Sequence, residues 1–297
     1  METNIKYGQV VIGAPGAGKS TYCAAMNQFL TAINRSHVLI NIDPASENLK
    51  YNPVIDIADL ISIKEVQSEL GLGPNGSLIY CLDYLYINIH WLYTQIKNTK
   101  ADYFIIDTPG QIETYSIDSK LKNILELVKK NCGIELACVH LTDSHACTDP
   151  SLFMSSMLVS LSASINLELP FVNFLSKTDL LEQYGDLLLP LEYFTEELEP
   201  STLSELICDE TTVFGKKYSS LARKLCELIE GYSLVSYTAL DITDKLNMSN
   251  GLQLVDKANG YAYKKFAIGS DVMNIEKYEQ ESKNATQRIS DRIKGDT

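Results

Sequence analysis

Nowhere in this 297-residue chain do cysteines take the spacing of a disulfide scaffold or a zinc site. The seven (Cys23, Cys81, Cys132, Cys138, Cys147, Cys208 and Cys226) are scattered and form no C-x-x-C pair. Their simplest reading is as small buried thiols in a reducing compartment. Met1-Glu2-Thr3-Asn4 lacks the basic-then-apolar pattern of a secretory leader, and no apolar run is expected to reach membrane-spanning length. Basic residues are scarce: 25 Lys and Arg stand against 38 Asp and Glu, a net charge of −13. Such a surface gains nothing from meeting a polyanion, which argues against direct binding to nucleic acid or an anionic membrane. No Pro/Gly/Ser-rich linker and no internal repeat divides the chain. We therefore expect a soluble, intracellular protein with one large α/β domain over residues 1–268 and a charged tail over 269–297.

What is present begins with Gly13-Ala14-Pro15-Gly16-Ala17-Gly18-Lys19-Ser20, which fits the G-x-x-x-x-G-K-[ST] phosphate-binding loop. A β-branched run, Tyr7 to Ile12, precedes it, and a helical pattern from Thr21 to Leu30 follows. Strand, glycine loop, helix is the context the motif requires. Backbone N–H groups converge on a triphosphate only where no Cβ intervenes, and a helix N-terminus favours the anion. Lys19 is expected at the β/γ-phosphates, the Ser20 hydroxyl on Mg²⁺, and Thr21 beside the phosphates.

Further strands deliver further polar ends. His37 to Ile42 ends at Asp43-Pro44, where a carboxylate faces the ligand crevice of a parallel sheet. Asp43 therefore either orients water or Mg²⁺, or caps the turn. Tyr103 to Ile106 delivers Asp107-Thr108-Pro109-Gly110-Gln111, a D-x-x-G pattern offering a Mg²⁺ carboxylate (Asp107) and a γ-phosphate-sensing glycine (Gly110). Gln111 and Glu113 are candidates for positioning an attacking water, the alternative for Gln111 being a solvated loop amide. A strand over Ile134 to Leu141 follows, then a helix opened by Asp149-Pro150. Phe171 to Leu175 ends in Ser176-Lys177-Thr178-Asp179, similar to the N/T-K-x-D guanine signature. Asp179 can accept two hydrogen bonds from guanine N1 and N2, and the Lys177 stem can lie along the base. The alternative is an ordinary surface pair.

Other expectations are structural. Asp56 to Leu70 reads as two short helices with a Ser62–Glu65 capping box. One long helix carries Leu78, Leu82, Leu85, Ile89, Leu92 and Ile96 along a side, with His90 an ordinary helix residue. Helical excursions fill Gly185 to Cys208, an amphipathic helix Gly215 to Glu230, a sixth strand Leu234 to Leu240, and a last helix Gly251 to Asn259.

Taken in order, the phosphate loop, Asp-Pro-Ala, Gly73-Pro74-Asn75, Asp-x-Pro-Gly-Gln and Ser-Lys-x-Asp resemble the GPN-loop GTPases. Leu78 to Trp91 and Leu167-Glu168-Leu169-Pro170 look most like the third eukaryotic paralogue. Ala58 stands where relatives often carry arginine, so any contact made by that arginine is absent. The resemblance implies a P-loop NTPase fold with an extended, mostly parallel, Ras-like sheet. It implies a dimer, with itself or with a paralogue, in which Gly73, Pro74 and Asn75 of one subunit reach the phosphates of the other. On residues alone, Asn75 reads more readily as a left-handed turn residue before a helix. The resemblance also implies GTP/GDP and Mg²⁺ as ligands and a cytoplasmic protein shuttling to the nucleus. Its work would be assembly and import of RNA polymerase II, with polymerase subunits or assembly factors as partners. Two rivals remain: a scaffold that holds GTP with negligible hydrolysis, and an ATP-dependent kinase-like enzyme.

Overall fold

Apolar runs spaced along the chain become seven strands: β1 (Lys6–Gly13), β2 (His37–Asn41), β3 (Ile55–Asp56), β4 (Tyr103–Asp107), β5 (Ile134–Asp143), β6 (Phe171–Ser176) and β7 (Tyr237–Ala239). The computed structural model describes residues 5–46, 49–184, 187, 189–196, 200–207, 213–232 and 235–264. The sheet order is β3-β2-β4-β1-β5-β6-β7, and every pairing is parallel. Apart from the β2–β3 connection, helices supply the long crossovers that parallel neighbours need. They are α1 (Lys19–Ala32), α2 (Ile63–Leu70), α3 (Pro74–Ile87), α4 (Ile89–Asn98), α5 (Glu113–Ser116), α6 (Lys120–Cys132) and α7 (Pro150–Leu167). After these come α8 (Leu181–Tyr184), α9 (Leu191–Thr195), α10 (Pro200–Ile207), α11 (Val213–Tyr232), α12 (Lys245–Ala258) and α13 (Tyr261–Lys264).

Alternation along β1 sorts the core into two layers. Val10 and Ile12 pack with Leu85, Leu92, Ile96 and Leu125 from α3, α4 and α6. Tyr7 and Val11 pack on the other face with Tyr22 and Met26 of α1 and Leu252 and Val255 of α12. A third cluster joins α7, α9, α10 and α11 beneath β6 and β7. At the lower rim Arg35 clamps Asp256 of α12 through two bonds of 2.7 and 2.9 Å. The same guanidinium lies over Tyr103 and Tyr261, 3.9 and 3.6 Å from their centroids. Asn259 also donates to the Gly8 carbonyl at 3.1 Å.

Several local expectations are corrected. The long helix is two, broken at Asn88, which leaves helical geometry at ψ 29° and donates to the Tyr84 carbonyl from both its side-chain amide (2.9 Å) and its backbone N–H (3.0 Å). The first of them, α3, starts at Pro74, because proline suits the first helical position. Ser62 precedes α2 but makes no side-chain cap bond, so the capping box is absent. Residues 57–59 form a 3₁₀ turn, capped by Asp56. The helix expected from Gly251 begins six residues earlier, where Asp244 caps Leu246 N at 2.8 Å. By length and hydropathy α7 is apolar enough to cross a membrane, contrary to expectation. It is packed as a core helix, with Phe153, Met157, Leu161 and Ala163 buried. Six cysteines are free thiols, five of them buried. Cys208, part of the 185–208 stretch and the 269–297 tail lie outside the described residues.

One core group titrates within reach of ordinary buffers. His140 of β5 is 3% exposed, and burial pushes its pKa from 6.5 down to about 4, partly opposed by a hydrogen bond with Asn173. The unfolded chain takes up this proton below pH 6.5 while the folded one refuses it until about 4, so stability falls as pH drops through that window. The full effect is about 3 kcal/mol. Urea melts between pH 6.5 and 4.5 should show a pH slope about 1 proton smaller in His140→Gln than in the parent. Equal slopes would assign the proton elsewhere.

Candidate nucleotide site

Because all pairings are parallel, the polar strand ends gather on one edge of the sheet. Gly13 closes β1 at φ +151°, and a Cβ there would sit 2.5 Å from the Leu141 carbonyl. Only glycine permits that approach. Gly18, at φ 92°, leads directly into α1 at Lys19, so the loop amides and the helix N-terminus face the same space. The Lys19 side chain curls over the loop, with Nζ donating to the carbonyls of Gly13 (3.0 Å) and Ala14 (3.3 Å). It is 8% exposed; burial lowers its pKa, opposed by Asp107 and then Asp43. Ala17 is buried, whereas Pro15 and Gly16 are exposed. Thr21 Oγ1 accepts from Lys50 Nζ at 3.0 Å.

Asp107 ends β4 at 1% exposure. Its Oδ2 accepts from the Tyr51 hydroxyl at 2.7 Å, while the buried Oδ1 has no hydrogen-bond partner. Burial pushes the carboxyl up; Tyr51, Ser20 and Lys19 favour its charged form. A carboxylate oxygen without a donor beside the Ser20 hydroxyl suits Mg²⁺, which takes one or two protein oxygens and completes its shell with phosphate and water. Among the described residues no cluster of three His, Cys, Asp or Glu could hold a metal. Asp43 accepts from Ala45 N at 2.9 Å, so its turn-capping role is present. Its field also reaches Lys19 and Asp107. Thr108, fully buried, donates to the Val11 carbonyl at 2.8 Å and locks β4 onto β1.

At the other end of the edge, Ser176 Oγ donates to the Ala17 carbonyl at 2.8 Å. The serine that replaces the usual Asn or Thr therefore still supports the phosphate loop. Lys177 takes a left-handed φ of 59°, and its Nζ meets Asp143 Oδ2 at 2.6 Å. That bond raises the lysine's pKa. Ser144 Oγ donates to the Lys177 carbonyl at 3.0 Å, and Thr178 Oγ1 to the Leu240 carbonyl at 3.1 Å. Asp179 is left exposed, open to a ligand.

Other predicted residues lie apart. Gly73, Pro74 and Asn75 are exposed at the start of α3, and among the described residues no hydrogen bond or ion pair joins them to the phosphate loop or Asp107. Asn75 sits in a helical first turn; the left-handed residue nearby is Gly71. Gln111 is half-buried, its carbonyl accepting from Thr114 N and Oγ1 at 3.1 and 2.6 Å. Glu113 is exposed in α5. His90 is an exposed helix residue. Sequence reading missed Tyr51, Thr108 and Asp143. The last was detectable: it ends β5 as Asp107 ends β4, but the strand was expected to stop at Leu141.

Phosphate loop, buried carboxylate and base-signature turn along one parallel edge define a P-loop nucleotide-binding α/β protein. A family profile described as "Conserved hypothetical ATP binding protein" matches residues 11–261. GPN-loop GTPase 2 of Danio rerio is 45% identical over 260 residues, covering 88% of this chain and 83% of that protein. GPN-loop GTPase QQT1 of Arabidopsis thaliana is 43% identical, covering 89% and 91%. GPN-loop GTPase 2 of Saccharomyces cerevisiae is 38% identical over 290 residues, covering 96% and 84%. The chain belongs to the GPN-loop GTPase family. Two of these relatives carry the second paralogue's name, so they lend the expected likeness to the third no support. Among solved structures, a GTPase in apo form from Pyrococcus abyssi shares the fold, with a TM-score of 0.67 at 22% identity over 86% of this chain and 97% of that one.

Gly110 tests the geometry. A Cβ there would lie 2.7 Å from Lys19 Nζ and 3.4 Å from Pro15 Cα. Gly110→Ala should lower GTP affinity at least about tenfold, roughly 1.4 kcal/mol, and GDP affinity less. Fluorescent-nucleotide titrations would check this; equal losses for both nucleotides would remove Gly110 from the γ-phosphate end.

Proposed function

We propose that the chain is a Mg²⁺-dependent GTP-binding and GTP-hydrolysing switch that works as a dimer. The observation that carries this reading is the Ser176–Ala17 bond, which couples the guanine-type turn to the phosphate loop. Lys19 and the loop amides stabilise charge on the transferring phosphoryl group. Ser20 and Asp107 would hold Mg²⁺, which neutralises triphosphate oxygens when bound. Gln111, with Asp43 and Glu113, orients a water toward the γ-phosphorus. The β–γ anhydride P–O bond breaks, and GDP, inorganic phosphate and a proton are released.

The family profile's description names ATP, and the base decides between the two. Asp179 presents acceptors to guanine N1 and N2, for which adenine has no matching donors. Asp179→Asn should weaken GTP by about 1.5–3 kcal/mol and favour xanthosine triphosphate. Unchanged GTP affinity in the mutant would place the base elsewhere, and preference of the parent for ATP would support a kinase-like reading.

The dimer is supported by α3, where Ile79, Tyr80, Tyr84, Tyr86 and Ile87 are exposed immediately after the Gly-Pro-Asn turn. Exposed apolar side chains gathered on one element fit a protein interface. In a dimer built on α3, Asn75 would meet the partner's phosphates, as the family resemblance implies. Resemblance alone supports the rest: a paralogue as alternative partner, action in RNA polymerase II assembly and nuclear import, and a cytoplasmic location with shuttling.

Asn75→Ala should slow hydrolysis by about 2.7–4 kcal/mol of transition-state stabilisation while sparing GTP binding. Mixing Asn75→Ala with Lys19→Ala subunits checks the arrangement. If the turn acts across the interface, the intact nucleotide site of the Asn75→Ala subunit faces the intact turn of the Lys19→Ala subunit, and the mixed dimer keeps about half the parent rate. A nearly inactive mixed dimer would show that the turn serves its own subunit.

A further inference from the structure

Tyr51 belongs to no motif, yet it reaches the carboxylate at the centre of the site. Its ring is 7% exposed and packs in the cluster that holds Val11, Cys23 and Leu39. Core packing thus sets the direction of the hydroxyl, which donates to Asp107 Oδ2 at 2.7 Å. Burial and the neighbouring Asp107 push the phenol far above its ordinary pKa, so it stays a donor throughout the physiological range. The terminal torsion of an aspartate is broad and two-fold, and a short bond from a fixed hydroxyl to an ionised oxygen removes that freedom. What remains for a ligand is Oδ1, buried and without a partner.

Tyr51 also lies near the end of the segment between β2 and β3. That segment is tied down at its start by Asp43 N donating to Asn41 Oδ1 (3.1 Å) and at its end by Val54 N donating to the Leu39 carbonyl (2.9 Å). Beside Tyr51, Lys50 reaches Thr21 at 3.0 Å. The segment thus touches the phosphate-loop helix through Lys50 and the β4 carboxylate through Tyr51.

We propose that Tyr51 is a positioning residue for the divalent cation: its hydroxyl holds Asp107 by Oδ2 and presents Oδ1 toward Ser20. The inference rests on the reading of Asp107 as the Mg²⁺ carboxylate. A purely structural tyrosine would satisfy its hydroxyl on Asp107 without affecting the cation, and the two roles separate experimentally.

Tyr51→Phe keeps the ring in the core and removes only the hydroxyl. With the full chain loaded with GDP, Mn²⁺ affinity is measured by the spin-resonance signal of free Mn²⁺. Removing a group that orients a metal ligand typically costs about 10–100-fold in metal affinity, and that loss is expected here. GDP affinity in EDTA should stay within about twofold of the parent. Lys50→Ala, which leaves Asp107 untouched, should bind Mn²⁺ like the parent. Unchanged or tighter Mn²⁺ binding in Tyr51→Phe would overturn the proposal. So would a GDP loss in EDTA that matches the Mn²⁺ loss, or an equal Mn²⁺ loss in Lys50→Ala. Asp107→Asn serves as the control: if it binds Mn²⁺ as tightly as the parent, the reading of Asp107 fails and the proposal falls with it. A parent chain that binds no GDP would instead overturn the nucleotide reading itself.

Discussion

An ionised carboxylate removed from water costs several kcal/mol unless its neighbours replace the lost hydration. Asp107 is such a group, and the site is arranged around supporting it. Lys19 brings the opposite charge, Tyr51 and Ser20 bring hydroxyls, and the fully buried Thr108 holds the end of β4 against β1. The support is incomplete, because Oδ1 is left without a donor. A buried acceptor short of one partner is a poor element of a finished core and marks a functional site rather than packing. Lys19 shows the complementary state, its ammonium resting on two loop carbonyls.

The parts of this arrangement that were legible in the sequence are those fixed by backbone geometry at short range. Gly13 to Ser20, Asp107 to Gly110 and Ser176 to Asp179 each need particular residues at particular offsets, and each lies where its strand ends. What was not legible depends on distant partners or on competing local bonds. Tyr51 meets a group 56 positions away, and a lone tyrosine carries no local signal of that. The break at Asn88 has neither proline nor glycine to announce it, only a side-chain amide that bonds backward to Tyr84. Ser62 shows the reverse: the letters of a capping box are present, and the bond is not. β5 runs two residues past its apolar stretch because pairing with β6 extends to Asp143 and Ser176, which is how Asp143 escaped notice.

The two ends of the nucleotide site are joined by short bonds rather than by proximity alone. Ser176 reaches the phosphate loop, Lys177 reaches Asp143, and Ser144 returns to the Lys177 backbone. Strand β5 therefore acts as a spacer between base and phosphate ends, its length set by the same ladder that builds the sheet. The Gly-Pro-Asn turn has no such tie within its own chain. It sits on the surface of the chain, at the start of a helix with exposed tyrosines and isoleucines.

The clamp at the lower rim bears on how the chain is made. β1 leaves the ribosome long before α12, yet α12 closes one of its faces, and Asn259 bonds to Gly8 across 251 positions. At about 5–20 residues per second, α12 emerges roughly 10–50 s after β1. Throughout that interval Tyr7 and Val11 lack their final cover, and Arg35 has no Asp256 to close upon. The nascent nucleotide-binding half thus carries an open apolar face until α12 arrives, a surface suited to a general chaperone.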